Sequence, residues 1–336
     1  MLVSACPKRY RSVALAAFFA VQSAVAACSG GAPAASVVGT EPTTAAMTRS
    51  PSPSPDASED LVGVTRIKLP GLGGGLVVAG DTLWDATDSG AVRVDPTTGA
   101  VSEPIPSVTN LAFDGERLWA GGGALLVELD PHDGRILRDV SPDYSPIYIA
   151  ASPDAIWATN PGQSLVLRID PSDGRVVATI ELPATPKGTT LGEGALWIAC
   201  DGAATVVRIN TSTNVIDARI AVGQGPHTIA AADGFVWVTN RRSSTLSKID
   251  PATNQVVATV AKVATSPAVG VAAGPGSVFV AYRGGIAVVD ADSAAVTKRV
   301  SVPGTNFYDL KLIGDTLWAS DASHRELYAF DLGAWR

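Results

Sequence analysis

The side chains best suited to acid–base chemistry stand at matching distances from large aromatic residues. Lys187, His227 and Tyr308 each lie ten positions before a tryptophan, and Asp309 directly follows Tyr308. Imidazole, phenol and carboxylate groups are common proton carriers in enzymes. If the chain were an enzyme, we would expect His227, Tyr308 and Asp309 to form its catalytic set.

Other sequence signatures of catalysis are missing. The chain has three histidines, and they form no cluster with the spacing of metal ligands. It contains no glycine-rich phosphate loop, no His-Glu-x-x-His motif and no nucleophile elbow with glycine on both sides of a serine. We therefore predict no cofactor and no bound metal, and we favour a non-enzymatic role.

The aromatic residues mark seven repeats in the second part of the chain. They recur every 35 to 42 positions, at Trp84, Trp119, Trp157, Trp197, Trp237, Phe279 and Trp318. Each is followed 11 or 13 residues later by Asp or Asn, and in four repeats this residue opens an Asp-Pro turn. Short runs of alternating β-branched residues, such as Val206–Ile209, lie between the turns. This period predicts an all-β fold, a seven-bladed β-propeller with four strands in each blade.

The two ends of the repeat region predict how the ring closes. The seventh repeat stops after a third strand, Glu326–Asp331, and an unassigned strand, Val64–Pro70, precedes the first repeat. We expect this N-terminal strand to complete the last blade, because that removes the open edges of the sheets. The propeller is therefore predicted to span residues 61–336, with the seven aromatic side chains packed between blades.

Three motifs in the fifth repeat carry a resemblance. Gly225–Ala230, Val236–Asn240 and Ile249–Asn254 resemble the YVTN-repeat propellers of bacterial surface proteins, and Trp157–Asn160 in the third repeat is similar. The wider clan includes NHL-type propellers and the streptogramin (virginiamycin B) lyases. The resemblance implies a propeller scaffold over all seven repeats, and it leaves the chemistry open because one fold hosts unrelated functions.

The lyases of this clan provide the alternative function. The resemblance implies histidine and glutamate at the channel mouth with a divalent metal, and a Pro-His pair repeated in successive blades. Only Pro226–His227 matches that pair, since the fourth repeat has Pro186–Lys187 and the sixth has Pro267–Val269. A carbon–oxygen lyase that uses the catalytic set named above is therefore the second hypothesis.

The repeats also predict which side chains meet at one end of the propeller, the top face, which contains Lys187, Arg241, Arg283 and Arg325. Counting back from each aromatic residue predicts a ring at the channel mouth formed by Gly74, Thr109, Ile147, Lys187, His227, Val269 and Tyr308. The loops at the opposite end are acidic, whereas the top loops of repeats four to seven are basic. The predicted ligand-binding residues are Lys187, His227, Arg241, Arg242, Arg283, His324 and Arg325, with Lys262 nearby.

A basic face on an acidic protein indicates the kind of partner. Guanidinium planes match carboxylate and phosphate groups, so we expect an acidic protein or an anionic cell-wall polymer as the ligand. Asp201, Asp309 and Asp321 dilute the positive charge, and a merely solvated rim is the alternative interpretation. The formal charge of −7 becomes −10 once a signal sequence with three basic residues is removed, which makes nucleic acid a poor partner. We expect a monomer.

The N-terminal segment has the pattern of a lipoprotein signal. Residues 1–27 combine three basic residues with an apolar run that is too short to span a membrane comfortably. Val25–Cys28 resembles the lipobox of bacterial lipoproteins, in which the cysteine is acylated. Residues 28–60, rich in Pro, Ser and Ala, predict a disordered tether. We expect an anchor in the cell membrane through Cys28 and a domain outside the cytoplasm; an ordinary cleaved signal peptide is the alternative.

Cysteine usage excludes one source of stability. Of the three cysteines, only Cys200 lies in the predicted propeller, so this domain can form no internal disulfide. We expect Cys200 to be an unreactive thiol at the end of a strand.

Overall fold

A computed structural model of the chain describes residues 63–123, 125–140 and 147–335. The predicted signal sequence, the lipidation site at Cys28 and the predicted tether lie outside these residues. The regular structure of the described part consists of β-strands and two short 3-10 turns, Asp201–Ala203 and Leu332–Trp335. Among the described residues, no helix is long and apolar enough to cross a membrane.

The first repeat forms a small antiparallel sheet. One strand, β1 (Val64–Lys68), precedes it. The repeat itself contains β2 (Gly75–Ala79), β3 (Thr82–Thr87) and β4 (Gly90–Val94). Residues 101–105 run beside β4 through two isolated bridges, where the other repeats have a continuous outer strand.

Repeats two to five each form a four-stranded antiparallel sheet whose strands follow one another in chain order. The strands of repeats two and three are β5 (Asn110–Phe113), β6 (Leu118–Gly122), β7 (Leu125–Leu129), β8 (Ile136–Asp139), β9 (Tyr148–Ser152), β10 (Ala155–Asn160), β11 (Leu165–Ile169) and β12 (Val176–Glu181). The strands of repeats four and five are β13 (Pro186–Gly192), β14 (Ala195–Cys200), β15 (Thr205–Asn210), β16 (Val215–Ala221), β17 (Pro226–Ala232), β18 (Phe235–Asn240), β19 (Thr245–Asp250) and β20 (Gln255–Val260). The outer strands alternate between exposed and more buried residues, as expected when only one face packs on a neighbour.

Repeats six and seven share one sheet. Its strands are β21 (Ala268–Gly274), β22 (Ser277–Asp290), β23 (Val296–Ile313), β24 (Thr316–Asp321) and β25 (Glu326–Asp331), with β1 added at the edge beside β25. The strand β1 pairs antiparallel with β25, from Val64 opposite Phe330 to Lys68 opposite Glu326.

The prediction of seven blades is therefore wrong, because the hydrogen bonding defines six sheets. The reason lies in β23, which has 18 residues. Its first half pairs with β22 and its second half with β24, and a pair between Arg283 and Asn306 bridges the connection. The outer strand of repeat six thus continues without a break into the inner strand of repeat seven.

The aromatic residues that mark the repeats are buried between them, as predicted. All seven are at most 4% exposed. In the described part of the chain, seven apolar clusters each join one repeat to the next, and each contains one of these aromatic side chains. The cluster around Trp318 also contains Leu76 and Leu83 of the first repeat, so the packing runs around a complete ring.

The Asp-Pro turns form as their sequence predicts. In the turn after β11, the Asp170 carboxylate accepts the backbone N–H of Ser172 at 2.8 Å, and Gly174 adopts a φ of 74°. A side chain at Gly174 would also meet the carbonyl oxygen of Val140. Glycine therefore satisfies both the left-handed backbone and the close approach of the neighbouring repeat.

Candidate functional site

Some of the residues predicted for the top face line one cleft, which we call the arginine cleft. It has a volume of about 580 Å³ and is lined by Arg241, Pro267, Val269, Arg283, Gly304, Asn306, Ser323 and His324. These residues come from loops and strand ends of repeats five, six and seven. Three of the predicted ligand-binding residues, Arg241, Arg283 and His324, are thus brought together.

Backbone pairing fixes the two arginines at the cleft. The N–H of Arg241, which follows β18, donates to the carbonyl of Gly225 at 2.7 Å. Arg283 lies within β22 opposite Asn306 of β23. Both arginines are exposed, and neither has a carboxylate partner within the described residues. Their positive charges are therefore available to a ligand.

The buried carboxylate of Asp321 holds the part of the cleft that contains Ser323 and His324. Asp321, at the end of β24, accepts the backbone N–H groups of Asn306 and Ser323 at 3.0 and 2.9 Å and the Ser323 hydroxyl at 2.7 Å. Its second oxygen meets Nδ1 of His324 at 2.8 Å. Burial opposes ionisation of Asp321, but the hydrogen bonds from Ser323 and His324 outweigh it and hold its pKa below the ordinary value. Asp321 thus holds His324 at the cleft.

Other predicted ligand-binding residues do not line the arginine cleft. Arg242 forms an ion pair with Asp201, whose carboxylate lies 2.6 Å from its Nη2. The carboxylate of Asp201 therefore compensates the charge of Arg242. This agrees with the expectation from the sequence that Asp201 dilutes the positive charge of the top face. Arg325 and Lys262 have exposed side chains outside the lining of the cleft.

The channel mouth adjoins the arginine cleft through His227. The ring of His227 meets that of Tyr308 edge-on, with 6.3 Å between centroids, and its Nδ1 lies 3.1 Å from the Thr228 hydroxyl. Burial lowers the pKa of His227 to about 4, and the positive charges of Arg241 and Lys187 lower it further. At neutral pH this imidazole is therefore uncharged, and the nearby cationic charge belongs to Lys187 and Arg241.

The structure adds Tyr148 to the channel mouth. Its hydroxyl lies near that of Tyr308, although the two residues belong to repeats three and seven. Burial raises the pKa of both phenols, so they stay protonated. The predicted residue at this place, Ile147, is instead exposed.

A difference in strand register explains this error. The inner strands of repeats four to seven contain a register shift at their start, whereas the inner strands of the first three repeats pair regularly. A bulge adds one residue to the strand. Counting back from the aromatic residue therefore predicts Gly74, Thr109 and Ile147 one position too early.

Asp309 is occupied by structural hydrogen bonds. Its Oδ2 accepts the backbone N–H of Leu76 at 2.9 Å and lies 3.3 Å from Nζ of Lys311. A second buried carboxyl, Asp85, lies near it, and burial together with the charge of Asp309 raises the pKa of Asp85 to about 7. The sequence contained a signal for Asp85, because the residue after the aromatic is apolar in the other six repeats. Asp309 thus has a second carboxyl group, that of Asp85, close to it.

Cys200 lies at the end of β14, as predicted, and the structure shows that it is buried. Burial raises the pKa of its thiol to about 12. A thiol in this state is a poor nucleophile. Within residues 63–123, 125–140 and 147–335, no group of three or more His, Cys, Asp or Glu side chains could hold a metal ion.

Comparisons with known proteins identify the fold. No protein-family model matches the chain, and no curated protein matches it. Solved structures do match it. The WD40 β-propeller domain of Doa1 shares 10% identity with a TM-score of 0.67 and covers 80% of this chain and 97% of its own. The virginiamycin B lyase from Staphylococcus aureus shares 17% identity with a TM-score of 0.68 and covers 80% and 99%. A chain of a mitotic checkpoint complex shares 12% identity with a TM-score of 0.71 and covers 87% and 98%.

These similarities define the class of protein. The chain is an all-β protein with a β-propeller fold, which confirms that part of the sequence prediction. At identities of 10 to 17%, the similarity is one of fold alone.

Proposed function

We propose that this propeller is a non-enzymatic binding domain that recognises an anionic ligand, an acidic protein or an anionic cell-wall polymer, through its top face. One observation carries the proposal: Arg241 and Arg283 line the same cleft without a carboxylate partner among the described residues. Both side chains are exposed, so their guanidinium groups are free to pair with an anion.

Recognition at this face combines a few specific contacts with general attraction. The planar guanidinium groups of Arg241 and Arg283 can each donate two parallel hydrogen bonds to a carboxylate or phosphate. Lys187 and Arg325 lie outside the cleft. An exposed ion pair contributes only about 0.2–1 kcal/mol, so we expect these two residues to add long-range attraction rather than strong individual contacts.

The experiment is a binding titration with matched charge variants. The full chain in detergent is titrated at low salt with polyglutamate and with an isolated anionic wall polymer. We expect Arg241→Ala/Arg283→Ala to weaken binding at least about tenfold. The control, Arg135→Ala/Arg175→Ala, removes the same charge from exposed turns at the opposite end of the propeller and should bind normally. Equal weakening in both variants, or in neither, would refute the proposal.

We also propose that the domain is held outside the cytoplasm by a lipid on Cys28. The apolar run, the lipobox-like Val25–Cys28 and the proline-rich residues that follow support this location. The strand β1 runs antiparallel to β25, whose N-terminal end adjoins the top loop with His324. The chain therefore enters β1 at the end of the propeller opposite the arginine cleft, which leaves the cleft free to face away from the membrane.

Closure of the ring by β1 is part of this proposal. Pairing of β1 with β25 and the hydrogen bond from the Leu69 N–H to the Arg325 carbonyl, at 2.9 Å, support it. The apolar cluster around Phe307 and Tyr328 lies between repeats six and seven, which supports two packing units within their shared sheet. We infer seven packing units arranged in six hydrogen-bonded sheets.

The alternative function is that of a carbon–oxygen lyase. The edge-on contact of His227 with Tyr308, in a fold similar to virginiamycin B lyase, supports it. With a pKa of about 4, His227 is unprotonated at neutral pH and could accept a proton. Incubation with a type B streptogramin and Mg²⁺ tests the alternative. Ring opening that disappears in His227→Ala would establish the lyase, and an unchanged antibiotic would exclude it.

A further inference from the structure

We infer that the arginine cleft is a pocket for a single phosphate group carried on a hydroxyl-rich molecule, a sugar phosphate or polyol phosphate. This inference rests on the proposed anionic ligand and specifies its chemistry. It follows from the number of donors, from the side chains between them and from the way Asp321 holds one of them.

Three cationic or ionisable side chains reach the cleft from three different repeats. Arg241 comes from the end of β18, Arg283 from β22 and His324 from the loop between β24 and β25. Among the described residues, no aspartate or glutamate lines the cleft. A carboxylate has two oxygens and one charge, whereas a phosphate monoester has three free oxygens and up to two charges. Three potential donors, supplied by three different repeats, therefore match the three free oxygens of a phosphate monoester better than the two oxygens of a carboxylate.

Asp321 is a positioning residue for this pocket. Its Oδ2 meets Nδ1 of His324, so that the other ring nitrogen, Nε2, is left for a ligand. As an imidazolium, the ring can donate to Asp321 and to a phosphate at once. The residue that ends the equivalent strand in the fifth repeat, Asn240, instead donates to the hydroxyls of Thr245 and Ser247. The arrangement of the seventh repeat is therefore particular to this cleft.

The rest of the lining suits the carrier of the phosphate. Asn306 and Ser323 place an amide and a hydroxyl at the cleft, and Pro267 and Val269 provide an apolar surface. Amides and hydroxyls bind sugar or polyol hydroxyls, while the carbon backbone of such a molecule packs on apolar groups. A volume of about 580 Å³ is large enough for one phosphorylated unit.

The test compares small probes on the full chain by isothermal titration calorimetry at low salt. Glycerol 3-phosphate is the phosphate probe, glutarate is the dicarboxylate control and glycerol is the uncharged control. We expect glycerol 3-phosphate to bind at least about tenfold more tightly than glutarate, and glycerol not to bind. A polymer with polyol-phosphate repeats tests the monoester preference: its internal phosphates are diesters with two free oxygens and one charge, so it should bind less tightly per unit than glycerol 3-phosphate, and tighter binding per unit would overturn the monoester pocket.

Variants separate the pocket from the general charge of the face. His324→Gln should reduce the affinity for glycerol 3-phosphate at least about tenfold and leave that for glutarate within about twofold. Asp321→Asn should reduce the same selectivity while the melting temperature stays close to that of the unsubstituted chain, a result that a purely structural role would not give. If Asp321→Asn unfolds, His324→Gln alone decides.

The outcomes distinguish the two levels of the proposal. Glutarate binding as tightly as glycerol 3-phosphate would overturn the phosphate pocket. So would the absence of small-probe binding while anionic polymers still bind through Arg241 and Arg283. In both cases the proposed function would stand. Loss of that arginine-dependent polymer binding would instead remove the proposed function and the pocket together.

Discussion

Asp85 in β3 accepts a 2.6 Å hydrogen bond from the hydroxyl of Ser320 in β24, which lies 235 positions later in the chain. Its other oxygen accepts the backbone N–H of Gly74 at 2.9 Å. Nearby, Asp309 of the seventh repeat accepts the N–H of Leu76 in the first. One buried carboxyl, Asp85, and one partly buried carboxyl, Asp309, thus join the first repeat to the last.

We expect Asp85 to make the stability of the fold decrease as the pH rises. Burial, with the charge of Asp309 adding to it, raises the pKa of Asp85 from 3.8 to about 7. Between these values the folded chain binds a proton more tightly than the unfolded chain does. The contribution of Asp85 to the free energy of unfolding is therefore greatest below the unfolded pKa, falls until the pH reaches the folded pKa, and is constant above it.

Asp85→Asn is the matched variant for this prediction, because its amide can still accept from Gly74 and donate to Ser320. Urea unfolding of both proteins should be measured at several pH values between about 3 and 8, a range that spans both pKa values. The unsubstituted chain should lose stability relative to Asp85→Asn as the pH rises. A stability difference that does not vary with pH would show that Asp85 does not titrate in this way.

The sequence repeats predict the packing between repeats well, but they predict poorly the contacts of residues that depart from the repeat pattern. The aromatic markers predicted the packing between repeats because every repeat buries the same position. Asp85 occupies a position that is apolar elsewhere, and only the fold shows that Ser320 and Gly74 satisfy it. The repeat pattern can show that Asp85 differs from the residues at the same position in other repeats, but it cannot show which residues form hydrogen bonds with it.

The sequence predicted which types of residue form the candidate site, but not which of these residues pair with one another. The sequence indicated a basic top face, and the cleft with Arg241 and Arg283 lies there. The pairing of Arg242 with Asp201 joins loops 41 positions apart, and its geometry depends on how two repeats are placed side by side. Tyr148 was missed because a bulge changes the residue count without a visible mark in the sequence.

Replacement of an aromatic marker should strongly destabilise the propeller. Trp197 and Trp237 are buried between consecutive repeats. Trp197→Ala or Trp237→Ala should reduce the free energy of unfolding by about 3–5 kcal/mol, because a large cavity remains. Urea denaturation followed by circular dichroism measures this change. A loss below about 1 kcal/mol together with altered ligand binding would indicate an exposed stacking role instead.

Removal of β1 should be far more damaging than removal of the predicted tether. Deletion of residues 61–70 removes the pairing with β25 and the buried side chains of Ile67 and Leu69, and it exposes a strand edge. We expect aggregation and a lower melting temperature. Deletion of residues 29–58 should leave the melting temperature nearly unchanged. Similar effects of the two deletions would contradict closure of the ring by β1.

The predicted anchor depends on a single thiol. Cys28→Ala should release the protein from the membrane, because a saturated acyl chain contributes about 0.8 kcal/mol for each buried methylene group. Partition of cell extracts between detergent and aqueous phases measures the change, with Cys200→Ser as a control that retains Cys28. Retention of Cys28→Ala in the detergent phase would show that the lipid is attached elsewhere or that another segment anchors the chain.

Ligand binding at the top face should depend strongly on salt. Attraction between exposed charges is screened over about 30 Å at 0.01 M salt and about 8 Å at 0.15 M. The affinity for an anionic polymer should therefore fall steeply over this range in the unsubstituted chain.

Removal of the four arginines of this face, Arg241, Arg242, Arg283 and Arg325, by alanine substitution should abolish binding without altering the fold. Most of the loss should already appear in Arg241→Ala/Arg283→Ala, because Asp201 compensates Arg242. Binding to isolated cell wall that survives both 0.5 M salt, where screening acts over only a few Å, and the fourfold substitution would refute electrostatic recognition by this face.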